Sequence, residues 1–343
     1  ASGLFATGEP FALAAKTQWR RSAPAVSGVG TLKGDLAALR FEQVVRLPSV
    51  VGVGGVARLL REPREIVAEA RWTRLQSQPF GADPAVTLRS DSGRLKLRGW
   101  TDRYVAVLES GVRLGEWPKA RARVTAEGDT RQLELQSIQV DAFGGQVTGS
   151  GRMTLRDAIS GSLKLQGRQL DPQFLDPRFA GRIDFRGDVN FDSLGNFRVQ
   201  LPEAVGTLFK RPLRASGTVA RTRNVMTFDA VKINAGPNRV ELSGQLGGDG
   251  ARRMAGEFRI NAPDLATLWP DWSGQLRGNG KFAGTPEQPS LNVDLTGSNL
   301  KVGDMWISGL QARGALGASR GLAINAEAAG LKFKTEALGN LSV

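Results

Sequence analysis

Apolar and polar residues alternate along most of this chain, in short runs separated by glycine. From Gly93 onward the runs are clear. Leu95 and Leu97, Leu133 and Leu135, Leu163 and Leu165, Ile183 and Phe185, Phe197 and Val199, Val240 and Leu242, Phe258 and Ile260, and then Leu291, Val293 and Leu295 are each spaced by two, with a charged or amide residue between them. Leu331 and Phe333 form the last such pair. A period of two puts the apolar members on one face of a β-strand and the polar members on the other. Short runs bounded by glycine predict short antiparallel strands, with one oily and one charged face to the sheet they build.

The first 60 residues carry the same signal more weakly. Residues 44–55, VVRLPSVVGVGG, read as a strand pair. Residues 62–76, EPREIVAEARWTRLQ, fit two elements equally well. Pro63 with Ile66, Ala70 and Leu75 suits a helix, whereas Ile66, Ala68, Ala70 and Trp72 suit a strand. Two segments, residues 170–179 and 263–272, combine proline with Leu, Phe or Trp, and are expected to form one-turn helices or wide bends crossing between sheet layers.

Glycine spacing reveals a repeat. Gly151, Gly161, Gly181 and Gly187 recur as Gly244, Gly256, Gly274 and Gly280, at offsets of 93, 95, 93 and 93 residues. Near-constant spacing means a repeated supersecondary unit. The expectation is one continuous repeat array over residues 1–343, weaker over 1–143 and clearer over 144–235 and 236–343. Its class is all-β: an elongated, curled antiparallel sheet of short repeated strands forming an open apolar groove, with a few short helical turns. Few large side chains are present to fill a core between so many strands, since aromatics are 7% of the sequence. That favours a groove over a plugged interior, and the seventeen paired residues from Leu95 to Leu295 named above are its expected lining.

Composition removes most chemistry. There is no histidine and no cysteine. The commonest general base, thiolate nucleophiles, disulfides and imidazole- or thiolate-based metal sites are therefore gone. No cofactor and no metal is expected, and an enzyme is not. The net charge is +13, which draws attention to anionic partners. Yet the cations are spread over the polar positions of strands, as in Arg94, Lys96 and Arg98, with no basic block or nucleic-acid motif, so a nucleic-acid partner is not expected. No window holds the roughly 18–20 apolar residues needed to cross a bilayer as a helix. The first residues, ASGLFATGEPFALAAK, lack the basic start and apolar core of a signal peptide, and the chain reads as a fragment of a longer one.

The stretch from Ser273-Gly274 through Gly280, then Gly284-Thr285-Pro286-x-x-Pro289-x-Leu291, Leu300 and Leu310-x-x-x-Gly314, resembles the repeat of the TamB family, within the wider AsmA-like group. The likeness is closest over about residues 144–314. It implies an open apolar β-groove in the periplasm of a Gram-negative bacterium, tethered to the inner membrane by an N-terminal anchor. It also implies phospholipid acyl chains as cargo, and an Omp85-type outer-membrane barrel as partner through regions beyond this stretch. Lipid conduction is the expected role. Three alternatives remain: an assembly factor for outer-membrane barrels acting through an exposed strand edge, a passive spacer, and a β-helical polysaccharide-active enzyme using carboxylates such as Asp184, Asp188 and Asp192.

Overall fold

The computed structural model describes residues 2–5, 7–8, 11–21, 26–46, 49–60, 62–77, 88–155, 159–192, 195–248, 253–269, 271–285, 288–317, 321–333 and 336–342. For 2–3, 5, 289, 316–317, 321–326, 331–333 and 336–342 it describes the backbone alone. Pro286 and the side chains of Leu331 and Phe333 thus lie outside the described residues.

Alternation prevails wherever it competes with helical spacing. The chain divides into two compact units, Ala1–Leu165 with Phe191–Leu194, and Gln166–Asn190 with Gly195–Val343. The first contains β1 (Ser2–Phe5), β2 (Leu13–Arg21), β3 (Val26–Gly34), β4 (Leu39–Arg46), β5 (Val50–Arg58), β6 (Glu65–Ser77), β7 (Leu88–Trp100), β8 (Arg103–Leu114), β9 (Ala120–Gly128), β10 (Gln132–Ala142) and β11 (Gly145–Thr154). Each strand pairs antiparallel with the next in sequence. Strands β12 (Ser160–Leu170) and β13 (Gly181–Asp192) are divided between the units. The second unit continues with β14 (Phe197–Leu208), β15 (Arg211–Thr222), β16 (Val225–Ala235), β17 (Asn238–Gly247), β18 (Met254–Ala262), β19 (Trp272–Gly284), β20 (Pro289–Val302), β21 (Met305–Gly317), β22 (Gly321–Phe333) and β23 (Glu336–Ser342). These also pair with their sequence neighbours, from β14 through β23. The fold is all-β and antiparallel, is not closed into a barrel, and has almost no helix.

In the segment 62–76, residues from Glu65 onward form strand β6. Ile66 and Ala70, four apart, satisfy a period of two as well, and pairing with β5 and β7 on both sides decides for the strand.

The glycine repeat corresponds to six strands. Gly151 lies on β11 and Gly244 on β17, Gly161 on β12 and Gly256 on β18, and Gly181 and Gly187 on β13 with Gly274 and Gly280 on β19. Two single 3₁₀ turns recur in step, Pro172–Phe174 before β13 and Leu265–Thr267 before β19. The expectation that segment 263–272 crosses between sheet layers is corrected. Strands β18 and β19 are direct antiparallel neighbours, so the segment leaves and re-enters the same sheet. It folds back because Leu265 is apolar and finds cover there, 1% exposed against Ala262 and Leu300.

Candidate functional site

Antiparallel register turns alternation along each strand into rows across the sheet, because directly opposed residues share a face. In the first unit one row runs Ala15, Leu32, Phe41, Gly55, Ala68, Leu97, Ala106, Ala126, Leu135, Gly151, from β2 to β11. The row beside it includes Val53, Ala70, Leu95, Leu108, Val124 and Ile138. Leu133 lies on the same face, opposite Met153 and Gly128. Leu163 and Leu165 sit over Gly151 and Gly149, and pack with the buried group Ala126, Leu135 and Ile138. All six lining residues expected in this unit therefore occupy one apolar face.

The second unit repeats the arrangement. Ile233, Val240, Ile260, Gly278, Leu295 and Ala312 form one row. Leu242, Phe258, Gly280, Val293 and Gly314 form the next, and Phe282 with Leu291 lies beside it. Val199 opposes Val219, which in turn opposes Phe228. Ile183 lies beside Gly206, and the ring of Phe185 lies over Gly167. Phe197 is the outlier, at a strand end opposite Arg221. Of the seventeen residues only Leu135 and Val293 are buried, 8% and 5% exposed, and the other fifteen are partly exposed. Among the described residues, Leu265 and Asn238 are the largest side chains that are fully enclosed.

Among the contributors to this face not identified from sequence are Ile138, Ala204 and Phe228. Leu135 and Ile138 are three apart, which a strict period of two places on opposite faces. They share a face because the β10 ladder slips between them. Leu201 and Ala204, and Phe228 and Val231, do the same at slips in β14 and β16. An extra residue bends the strand and restores the face. At the β16 slip Ala230 takes φ 47°, and its N–H donates to the Ser243 hydroxyl at 3.1 Å. At Gln169, φ 56°, the N–H donates to Asp184 Oδ1 at 2.6 Å. Asp184, one of the three carboxylates considered for sugar chemistry, thus supports a backbone kink.

Glycine and aromatic residues are paired across strands. A Cβ at Gly28 would fall on the Trp19 ring, at Gly93 on Trp72, at Gly161 on Phe191 and at Gly280 on Phe258. Each ring occupies the gap left by a residue with no side chain, which covers glycine backbone without enclosing the face.

The opposite face is charged and in part self-paired. Arg94 Nη2 meets Glu109 Oε2 at 2.6 Å, and Arg123 lies 3.7 Å from the same carboxylate. Arg313 meets Asp294 at 2.8 Å. The Arg94 hydrogen bond holds the Glu109 carboxyl below its ordinary range, and Arg178 brings Asp176 down to about 2. Every carboxylate with a resolved shift moves downward, the direction that keeps it ionised. Among the described residues no group of three or more acidic side chains is placed to hold a metal ion.

The geometry is therefore an apolar face in each unit, continuous from strand to strand and incompletely covered, backed by a charged face. No solved structure matches the chain. The Translocation and assembly module subunit TamB of Haemophilus influenzae is 26% identical over 221 residues, 62% of this chain. The chain spans 16% of the length of that relative. The family model described as TamB, N-terminal domain, matches residues 10–342, so nearly the whole chain is covered and it belongs to the TamB family.

Proposed function

We propose that this chain forms part of a non-enzymatic periplasmic conduit for phospholipid, with acyl chains lying along the apolar faces and headgroups remaining in water. Membership of the family supports a role in a translocation and assembly module, which the printed name of the Haemophilus influenzae relative assigns to that protein. In the same reading the full-length protein is anchored in the inner membrane and works with an Omp85-type outer-membrane barrel.

The observation that carries the proposal is the continuity of partly exposed apolar rows in each unit. A hydrocarbon tail moving through water exposes its methylenes at ~0.8 kcal/mol each, on the order of 12 kcal/mol for a chain of about 16 carbons. An apolar face with a foothold on every strand lowers that cost throughout the path. Near-equivalent Leu, Val, Ile and Phe positions avoid one deep well in which a tail would stall. A fully packed interior would enclose these side chains, and most of them are open to a neighbour.

The test is lipid flux between membranes supported by full-length protein carrying Leu165→Arg or Leu242→Asp. Both side chains are only partly covered, so a charge there is hydrated without unfolding the sheet. Flux is expected to fall by at least about 10-fold, since a charge in an apolar path costs more than ~1.4 kcal/mol. Lys164→Asp and Glu241→Lys, on the charged face, are expected to leave it unchanged. Normal flux in the two folded inward variants overturns the proposal.

A further inference from the structure

The two ends of the strands in the first unit differ in charge. At the end formed by the turns after β2, β4, β6, β8 and β10 stand Arg20, Arg21, Arg46, Arg74, Arg89 and Arg121. All six are exposed, and none forms an ion pair among the described residues. They recur on five strands: β2, β4, β6, β7 and β9. Asp91, the acidic residue nearest Arg89 in sequence, is taken up by Lys119 at 2.5 Å. At the opposite end more of the cations are matched: Arg58 and Arg98 share Glu65 at 2.7 Å, Arg64 meets Glu62 at 3.2 Å, and Arg103 meets Glu127 at 2.7 Å, while Lys33, Arg40 and Arg131 form no ion pair among the described residues.

The arginine-rich end also carries tryptophan. Trp19 is 42% exposed and Trp117 is 53% exposed, the latter edge-on to Phe143 with ring centroids 5.7 Å apart. Unpaired arginine beside half-exposed indole is the combination that suits the zone between headgroups and acyl chains. The guanidinium meets phosphate in a fork, and the indole has an apolar body with one N–H donor.

We propose that this end of the first unit binds the surface of an anionic phospholipid membrane, the arginines on headgroup phosphates and Trp19 and Trp117 at the level of the first methylenes. The charge complementarity is local to one strand end, so it is a property of placement and not of the net charge. It goes beyond the conduit reading, because a conduit with neutral rims still carries acyl chains.

The test is co-sedimentation of the 343-residue chain with phosphatidylcholine vesicles, with and without about one third phosphatidylglycerol. Binding is expected only with the anionic lipid, is expected to weaken steeply in about 0.5 M salt, and should shift Trp emission to the blue. Replacing Arg20, Arg46, Arg74 and Arg89 together by Gln should weaken binding by at least about 10-fold. Replacing Lys33, Arg40, Arg64 and Arg131 by Gln removes the same charge from the other end, and should change it by no more than about 2-fold. Equal loss in the two variants, equal binding to neutral vesicles, or tighter binding of duplex DNA than of anionic vesicles would each overturn the proposal. Lipid crosslinking to the apolar faces is read separately, so failure of one claim is distinguishable from failure of the other.

Discussion

At the scale of single residues, the unusual feature is the partnership of glycine with a ring on the neighbouring strand. Gly93 sits opposite Trp72, whose indole covers it and donates from Nε1 to the Ser90 hydroxyl at 2.8 Å. Gly93→Ala drives a methyl into that ring, so it is expected to destabilise the sheet by about 1–3 kcal/mol, measured by urea unfolding. In a Trp72→Leu background the same change should cost distinctly less, because the object of the clash is gone. Equal cost in both backgrounds would place the strain in the backbone. A second residue-scale expectation concerns Asp176. Its pKa is depressed, so its interaction with Arg178 is complete above the ordinary carboxylate pKa and is lost as the pH falls through about 2. The Asp176 carboxyl resonance should titrate near that value, and should move up toward the ordinary range in Arg178→Gln. The two residues are close in sequence, Arg178 exposed and Asp176 partly so, and the effect on overall stability is small.

At the scale of elements, the turn Leu265–Thr267 shows what a local signal can and cannot convey. Asn238, at the start of β17, donates from Nδ2 to the Asp264 carbonyl at 2.5 Å and to Thr267 Oγ1, and accepts from the Asp264 N–H at 3.0 Å. Asn238→Ala leaves these groups without partners in a site that is 1% exposed, and is expected to cost about 1–3 kcal/mol in thermal or urea unfolding. Asp171, at the equivalent point before the other 3₁₀ turn, instead accepts from the Gln173 N–H at 2.9 Å and pairs with Arg182. Proline with apolar neighbours announced a bend at both places, but the aspartate that fixes each finds its partner 26 residues away in one case and 11 in the other. Strands were legible for a simple reason: period two is a local property that survives in the folded chain, as in Leu291, Val293 and Leu295 on β20. The ladder slips were not. Nothing in the string from Leu135 to Ile138 marks the extra residue, because a slip is a relation between two strands. The same reason hid the glycine–ring pairs and the edge-to-face contact of Phe179 with Trp269, 5.1 Å between centroids and 90 residues apart in sequence. The lining residues chosen by alternation fall on one face in each unit, whereas their neighbours beyond a slip were passed over.

At the scale of the whole molecule, each unit separates its chemistry by face. Charged residues pair with one another on one side, and apolar residues of modest size form rows on the other. The +13 charge is therefore mostly a solvated face, with a cluster of unmatched arginines at one set of strand ends in the first unit. The central claim is that the apolar side accepts hydrocarbon from outside the chain. The most direct measurement places a photo-crosslinking residue, one at a time, at Leu163, Phe185, Leu242 and Val293 in the full-length protein in cells, and at Lys164, Arg186, Glu241 and Asp294 on the charged face. Phospholipid adducts at the first four positions and not at the second four are the predicted result. Adducts to outer-membrane proteins alone, or equal lipid adducts from both faces, would contradict it.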